Sequence, residues 1–337
     1  MLVDRAVVIW RGDKSQSTRG RAPAVAVAGR RAGGVREKNV PKMSTDRFRR
    51  VRNVLGCAAL AAALVAGCGT NRAEDSSSEP TITEAAARTD QKGLSIIVPG
   101  TLAASYAELA AGVRGKMGMA IVPVGGEQPI TFGEWTSGPA WSTMKVPLTV
   151  AALRRSPSSS NYAASAAITQ SDNAAADVLW QSLGTPQEAA QAVQAVLREG
   201  GDSKTVVPAA RARAEHSAFG QAEWSLIDQV RFASHLPCLP QTDRVTSLME
   251  QVIASQRWGL GEFGGAEFKG GWGPDVSGNY LVRQFGIINV PSGQIAIAVA
   301  VQPESGSLSD GMNVLDKLAT VVSQHLGELA GGHCAAA

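Results

Sequence analysis

The order in which two apolar periodicities occur constrains the fold of this chain more than any other feature. Residues 116–124 and 128–133 have the strand texture, joined at Gly125-Gly126. Strand texture returns only late, at 266–269, 280–290 and 294–302, with Pro291-Ser292-Gly293 as a hairpin turn. Between these groups the apolar residues recur at helical spacing, over 142–155, 164–170, 174–183, from Thr185 onward, and over 225–236 and 245–257. Further helical stretches occupy 101–113 and 308–329. Two strands before and three after a helical middle predict one antiparallel five-stranded sheet built from both chain ends. The helical middle packs against it, giving an α+β domain over residues 94–330 and a short tail at 331–337. No internal repeat is visible.

The chain has 337 residues, 44% of them hydrophobic, enough for a sizeable core. Its formal charge of +3 hides a division. Residues 1–54 hold 14 of the 32 Lys/Arg and 4 of the 29 Asp/Glu, leaving 18 basic against 25 acidic residues in the rest. The basicity belongs to the N-terminal segment, so the folded part has no evident face for a polyanion and nucleic-acid binding is not expected. The four histidines, at 216, 235, 325 and 333, lack the clustered spacing of a metal hydrolase. Neither metal nor cofactor is expected.

Arg47, Arg49, Arg50 and Arg52 precede a short apolar run ending in Leu64-Val65-Ala66-Gly67-Cys68. A basic segment, an apolar segment too short to span comfortably and a small-residue cleavage site make a secretory signal over 43–67. The last five residues resemble the bacterial lipobox, whose cysteine becomes the lipid-bearing first residue of the mature protein. Cys68 is therefore the candidate lipidation site, and a plain secretion signal is the alternative. Met43 is the better start, with 1–42 an Arg/Gly/Ala-rich extension. Polar residues 68–93 read as a tether. These features place the protein outside the cell membrane, anchored by lipid. Cys238 and Cys334, the two cysteines beyond the leader, are expected to pair in that oxidising setting.

Three short polar motifs carry the chemistry. Ser142-Thr143-Met144-Lys145 opens a helix, so Ser142 and Lys145 share a face. A serine hydroxyl needs a base, and a buried lysine amine that is neutral supplies one. The competing reading is a helix cap beside an exposed lysine, but the apolar run from Val146 makes this a buried helix. Ser171-Asp172-Asn173 lies between two helical segments, where a hydroxyl can relay a proton and an amide can hold substrate; the competing reading is again a cap. Lys269-Gly270-Gly271 lies on a strand.

Ser142 to Leu148 and Thr169 to Ala176 resemble the corresponding stretches of class A β-lactamases and the wider penicillin-recognising serine enzymes. The resemblance extends in motif order and layout over 94–330. It implies Ser142 as nucleophile, Lys145 as its base, Ser171 as proton relay and Lys269 as electrostatic support. It implies Asn173 and Gly271 at the substrate, and the backbone N–H groups of Ser142 and Trp272 as the oxyanion hole. Arg283, on the next strand, is a candidate partner for a substrate carboxylate, or else an exposed strand charge.

Three departures bear on activity. Gly270 stands where that family has Thr or Ser, removing a hydroxyl that would meet a carboxylate, a loss of about 1.5–3 kcal/mol. Ser171 follows Ser142 by only 29 positions, which shortens one wall of the cleft. The family's Glu-x-x-Leu-Asn water-activating segment is missing: Glu199, Asp202, Glu215 and Glu223 are the acids in the right stretch, none begins it, and Glu215 is the least unsuitable. Three functions stay open. The first is a lipoprotein acylated slowly by β-lactams or acyl-D-Ala peptides of the cell wall, with weak turnover. The others are a non-catalytic binding or scaffold lipoprotein and a true β-lactamase. The oligomeric state is left open.

Overall fold

The computed structural model describes residues 100–335. The signal segment, Cys68, the tether and the start of the expected domain lie outside the described residues. Eight helices and seven strands follow in the expected order. Helix α1 (Gly100–Gly112) leads into β1 (Gly115–Pro123) and β2 (Ile130–Gly133), followed by a short β3 (Ser137–Pro139). The helical middle comprises α2 (Lys145–Arg155), α3 (Pro157–Thr169), α4 (Asn173–Ser182), α5 (Pro186–Glu199), β4 (Glu223–Ser225), α6 (Leu226–His235) and α7 (Asp243–Glu250). Then come β5 (Glu267–Pro274), β6 (Tyr280–Val290), β7 (Gly293–Pro303) and α8 (Leu308–Gln324).

The main sheet is antiparallel with strand order β2-β1-β7-β6-β5, joining the two chain ends as the pattern predicts. It is buried on both faces. Along β7, Ile295, Ile297, Val299 and Val301 enter the core shared with α1 and α8, while Ala296, Ala298 and Ala300 enter the core shared with the helical middle. The period-two alternation is thus between large and small side chains, and the alanines let α6 approach the sheet. Helix α5 starts on a reciprocal cap, Thr185 accepting from the Glu188 N–H while the Glu188 carboxylate takes the Thr185 N–H at 2.7 Å. Cys238, in the turn after α6, is disulfide-bonded to Cys334 across 96 positions, so the tail is tied to the helical middle.

Several details differ from expectation, among them α8, which ends at Gln324 instead of 329, and α3, which starts at Pro157 instead of 164. Helix α7 ends at Glu250 instead of running to 257, because residues 251–257 break into turns that reach toward the second motif: the Ile253 N–H donates to the Thr169 carbonyl at 3.0 Å. The small β3–β4 ladder, Ser137 to Ser225 through Pro139 to Glu223, is too short to leave a sequence pattern.

Candidate active site

Ser142 lies in a tight 3-10 turn, Trp141–Met144, that feeds straight into α2. Trp141 has φ +50° and Ser171 φ +57°, so the chain is held in the left-handed region just before the first motif and at the head of the second. Non-glycine residues pay for that conformation, and such strain concentrates at functional sites. The turn is clamped from beneath: the Thr143 hydroxyl donates to the Ala140 carbonyl and accepts from Gln229 Nε2 at 3.0 Å.

Lys145 is the first residue of α2 and is 1% exposed. Its Nζ donates to the Ser171 carbonyl, to Asn173 Oδ1 at 2.8 Å and to Ser171 Oγ at 3.3 Å. Lys269, fully buried on β5, donates to the same Ser171 Oγ at 2.9 Å and to its neighbour's carbonyl. One hydroxyl therefore bridges two lysines. Burial lowers Lys145 to a pKa of about 8, against the opposing pull of Asp172 and Asp177. Burial, and next the charge on Lys145, push Lys269 well below the ordinary lysine range. A cluster of this kind can hold a neutral amine near neutral pH and pass a proton through a hydroxyl.

The cap reading of Ser171-Asp172-Asn173 holds for one residue of the three. Asp172 caps α4, its carboxylate accepting the Ala175 N–H at 2.6 Å, and this frees Ser171 and Asn173 to face Lys145. Ser142 is half-buried, and its hydroxyl takes no part in these hydrogen bonds; it joins the cluster through its position one helical turn before Lys145. Gly271 brings β5 onto the Ser142 turn: a Cβ there would lie 2.9 Å from the amide nitrogens of both Ser142 and Thr143. That close approach is why the third motif ends in glycine. Trp272 follows on the same strand, part-exposed and edge-on to Trp258 with ring centroids 5.9 Å apart.

Arg283 does not meet substrate, and it is not a surface charge either. It is fully buried, and its guanidinium donates to the carbonyls of Gly138, Pro139 and Trp224 and to Gln229 Oε1 at 2.9–3.0 Å. Burial lowers its pKa to about 9. Gln229, which receives Arg283 on one end and holds Thr143 on the other, completes a buried relay from β6 to the Ser142 turn. The chain shows this only as polar residues inside apolar runs, at Arg283-Gln284 of β6 and Gln229 of α6.

The four acids of the 196–223 stretch are engaged away from the lysines. Glu199 pairs with Arg154 at 2.6 Å, and the Asp202 carboxylate accepts the N–H groups of Lys204 and Thr205. Glu215 is exposed and bound to Arg213 Nε at 2.9 Å, its pKa lowered by a backbone hydrogen bond and then by that arginine. Glu223 accepts from the Ser137 hydroxyl at 2.6 Å.

Solved structures decide the architecture. A class A β-lactamase from Mycobacterium abscessus superposes with a TM-score of 0.53, at 18% identity, over 67% of this chain and 99% of its own. A representative class A enzyme from Bacteroides cellulosilyticus gives 0.57 at 14% identity, over 68% of this chain and 98% of its own. A β-lactamase from Xanthomonas campestris gives 0.53 at 18% identity, over 67% and 97%. This is the class A β-lactamase fold. No protein-family model and no curated protein matches the chain. Lys145, Ser171, Asn173 and Lys269 meet through hydrogen bonds between β5 and the helical middle, with Ser142 one turn before Lys145.

Proposed function

We propose that this chain is a serine acyl-transferase of the cell envelope whose Ser142 is acylated by β-lactams or acyl-D-Ala peptides and released slowly. The shared Ser171 hydroxyl between two buried lysines carries the reading. In the proposed step, neutral Lys145 takes the Ser142 proton as Oγ attacks the acyl carbonyl. The Ser171 hydroxyl then delivers a proton to the leaving nitrogen and is reprotonated from the lysine pair. Slow release is the expectation because Glu199, Asp202, Glu215 and Glu223 are engaged elsewhere, so that stretch offers water no free carboxylate base.

Intact-mass spectrometry of the full chain with excess benzylpenicillin tests this. A lasting adduct absent in Ser142→Ala supports it, and fast drug loss without an adduct supports a true β-lactamase instead. The position of the Ser142 hydroxyl outside the hydrogen-bond network favours a second reading, a binding lipoprotein that keeps the fold without catalysis; it predicts no adduct with drug or peptide. We further propose lipidation at Cys68 and anchoring on the outer face of the membrane. Radiolabelled palmitate incorporation lost in Cys68→Ser tests it.

A further inference from the structure

We infer that the protein carries a second small-molecule site, beside the Ser142 turn and apart from the Lys145–Ser171–Lys269 cluster, for a neutral aromatic ring bearing one hydrogen-bonding group.

A cavity of about 270 Å³ opens at the end of β5, bounded by β3, the end of β7 and the segment 212–221. Its apolar walls are Trp135, Pro139, Trp141, Pro274 and Leu281; Ser142 and the two lysines are not among them. Two glycines seat the indoles. A Cβ on Gly138 would lie 2.8 Å from the Trp135 ring, and one on Gly273 would lie 2.6 Å from three atoms of the Trp141 ring. The Arg283 guanidinium lies over Trp135, 5.1 Å from its centroid, and His216 stands edge-on to Trp141 at 4.9 Å. These contacts fix both rings, so the aromatic walls are pre-formed. The covering segment is fixed as well. Arg213 donates to the Pro274 carbonyl of β5 at 2.5 Å. The Gln221 side chain accepts the Arg213 N–H and donates to the carbonyls of Arg213, His216 and Ser217.

The charged groups around the cavity are engaged. Arg213 binds Glu215 through Nε and Nη2, and the Asp275 carboxylate accepts the Ser277 and Asn279 N–H groups of its own turn. A charged ligand would give up water there without meeting a free counter-charge, whereas a neutral ring would gain contact with the indoles. An apolar cavity of about 150 Å³ is enough for benzene, so this one has room for a ring and a small polar substituent. Gln302 selects the substituent. It is half-buried in the wall, and among the described residues its side-chain amide makes no hydrogen bond. An amide offers both a donor and an acceptor, which another amide or a hydroxyl can match.

Titration of the full chain with benzamide, followed through the tryptophan indole N–H signals by NMR, tests this, with benzoate as the charged counterpart and acetamide as the ringless one. Benzamide should shift the signals saturably, and benzoate and acetamide should bind about tenfold more weakly or less. Gln302→Phe, which puts a ring of its own into the cavity, should weaken benzamide binding by about tenfold or more. If that variant does not fold, Gln302→Leu should weaken it about three- to tenfold through the lost hydrogen bond. No saturable shift with benzamide, or equal binding of benzoate or acetamide, overturns the inference. Unchanged benzamide affinity in a folded Gln302 variant overturns the placement in this cavity and the inference with it. Benzamide is not an activated acyl donor, and Ser142→Ala should bind it as the unmodified chain does. Failure here therefore leaves the acylation reading standing, and failure of that reading leaves this site standing.

Discussion

At the scale of single residues, the proposed acylation turns on the protonation of Lys145. A base acts only when deprotonated, and burial brings this lysine down to about 8 from the ordinary 10.5. The acylation rate should therefore climb about tenfold per pH unit below the midpoint and level off above pH 8, the sign expected of a group that must lose a proton. Intact-mass rates from pH 6 to 9.5 measure it. Lys145→Ala should cost roughly 10²–10⁴ in that rate, while a flat profile in the unmodified chain would remove Lys145 from the base role. Asp172 supplies a second check, because it is the largest influence holding the Lys145 pKa up. In Asp172→Ala the midpoint should move to lower pH, and loss of the α4 cap should cost about 1 kcal/mol of stability.

At the scale of elements, Arg283 shows what binds the small β3–β4 ladder to the main sheet. One guanidinium satisfies three backbone carbonyls and Gln229, and β3 leads directly into the Ser142 turn. Removing it orphans those acceptors in a dry interior, so Arg283→Met should destabilise by about 3–5 kcal/mol in urea unfolding. It should also slow Ser142 acylation through the loosened turn, and unchanged stability would show that water replaces the guanidinium. The same residue marks where sequence reasoning stops. The main strands and helices were legible because their apolar periods are long, and Ser142, Lys145, Ser171 and Lys269 because each motif is local. The direction of one arginine on a strand buried on both faces is set by partners up to 145 positions away, Gly138 among them, which no local pattern encodes. The premature end of α7 has the same origin, since its last expected turn is drawn to the Thr169 carbonyl.

At the scale of the whole molecule, the sheet is assembled from strands that begin at residue 115 and end at 303, with the helical middle between them. Its completion depends on pairing β1 with β7, the most non-local strand pairing of the sheet. The disulfide acts on the same problem from the other side. Cys238 sits at the end of α6, the helix that packs on the alanine face of β7, and Cys334 lies just beyond Gly332, which exchanges two backbone hydrogen bonds with Gln294 at the start of β7. The bridge closes a loop of 96 positions around the three late strands and α8, so it shortens the unfolded chain where the sheet must be completed. Chain-entropy arguments for a loop of this length give about 4–5 kcal/mol as an upper figure, and about 2–4 kcal/mol is the usual yield. Cys238→Ala, Cys334→Ala and the double variant should lose equal stability in urea, because each removes the same cross-link. A single variant as stable as the unmodified chain would show that the bridge does not form. A double variant much weaker than either single one would assign the loss to packing around the sulfurs instead of to loop closure.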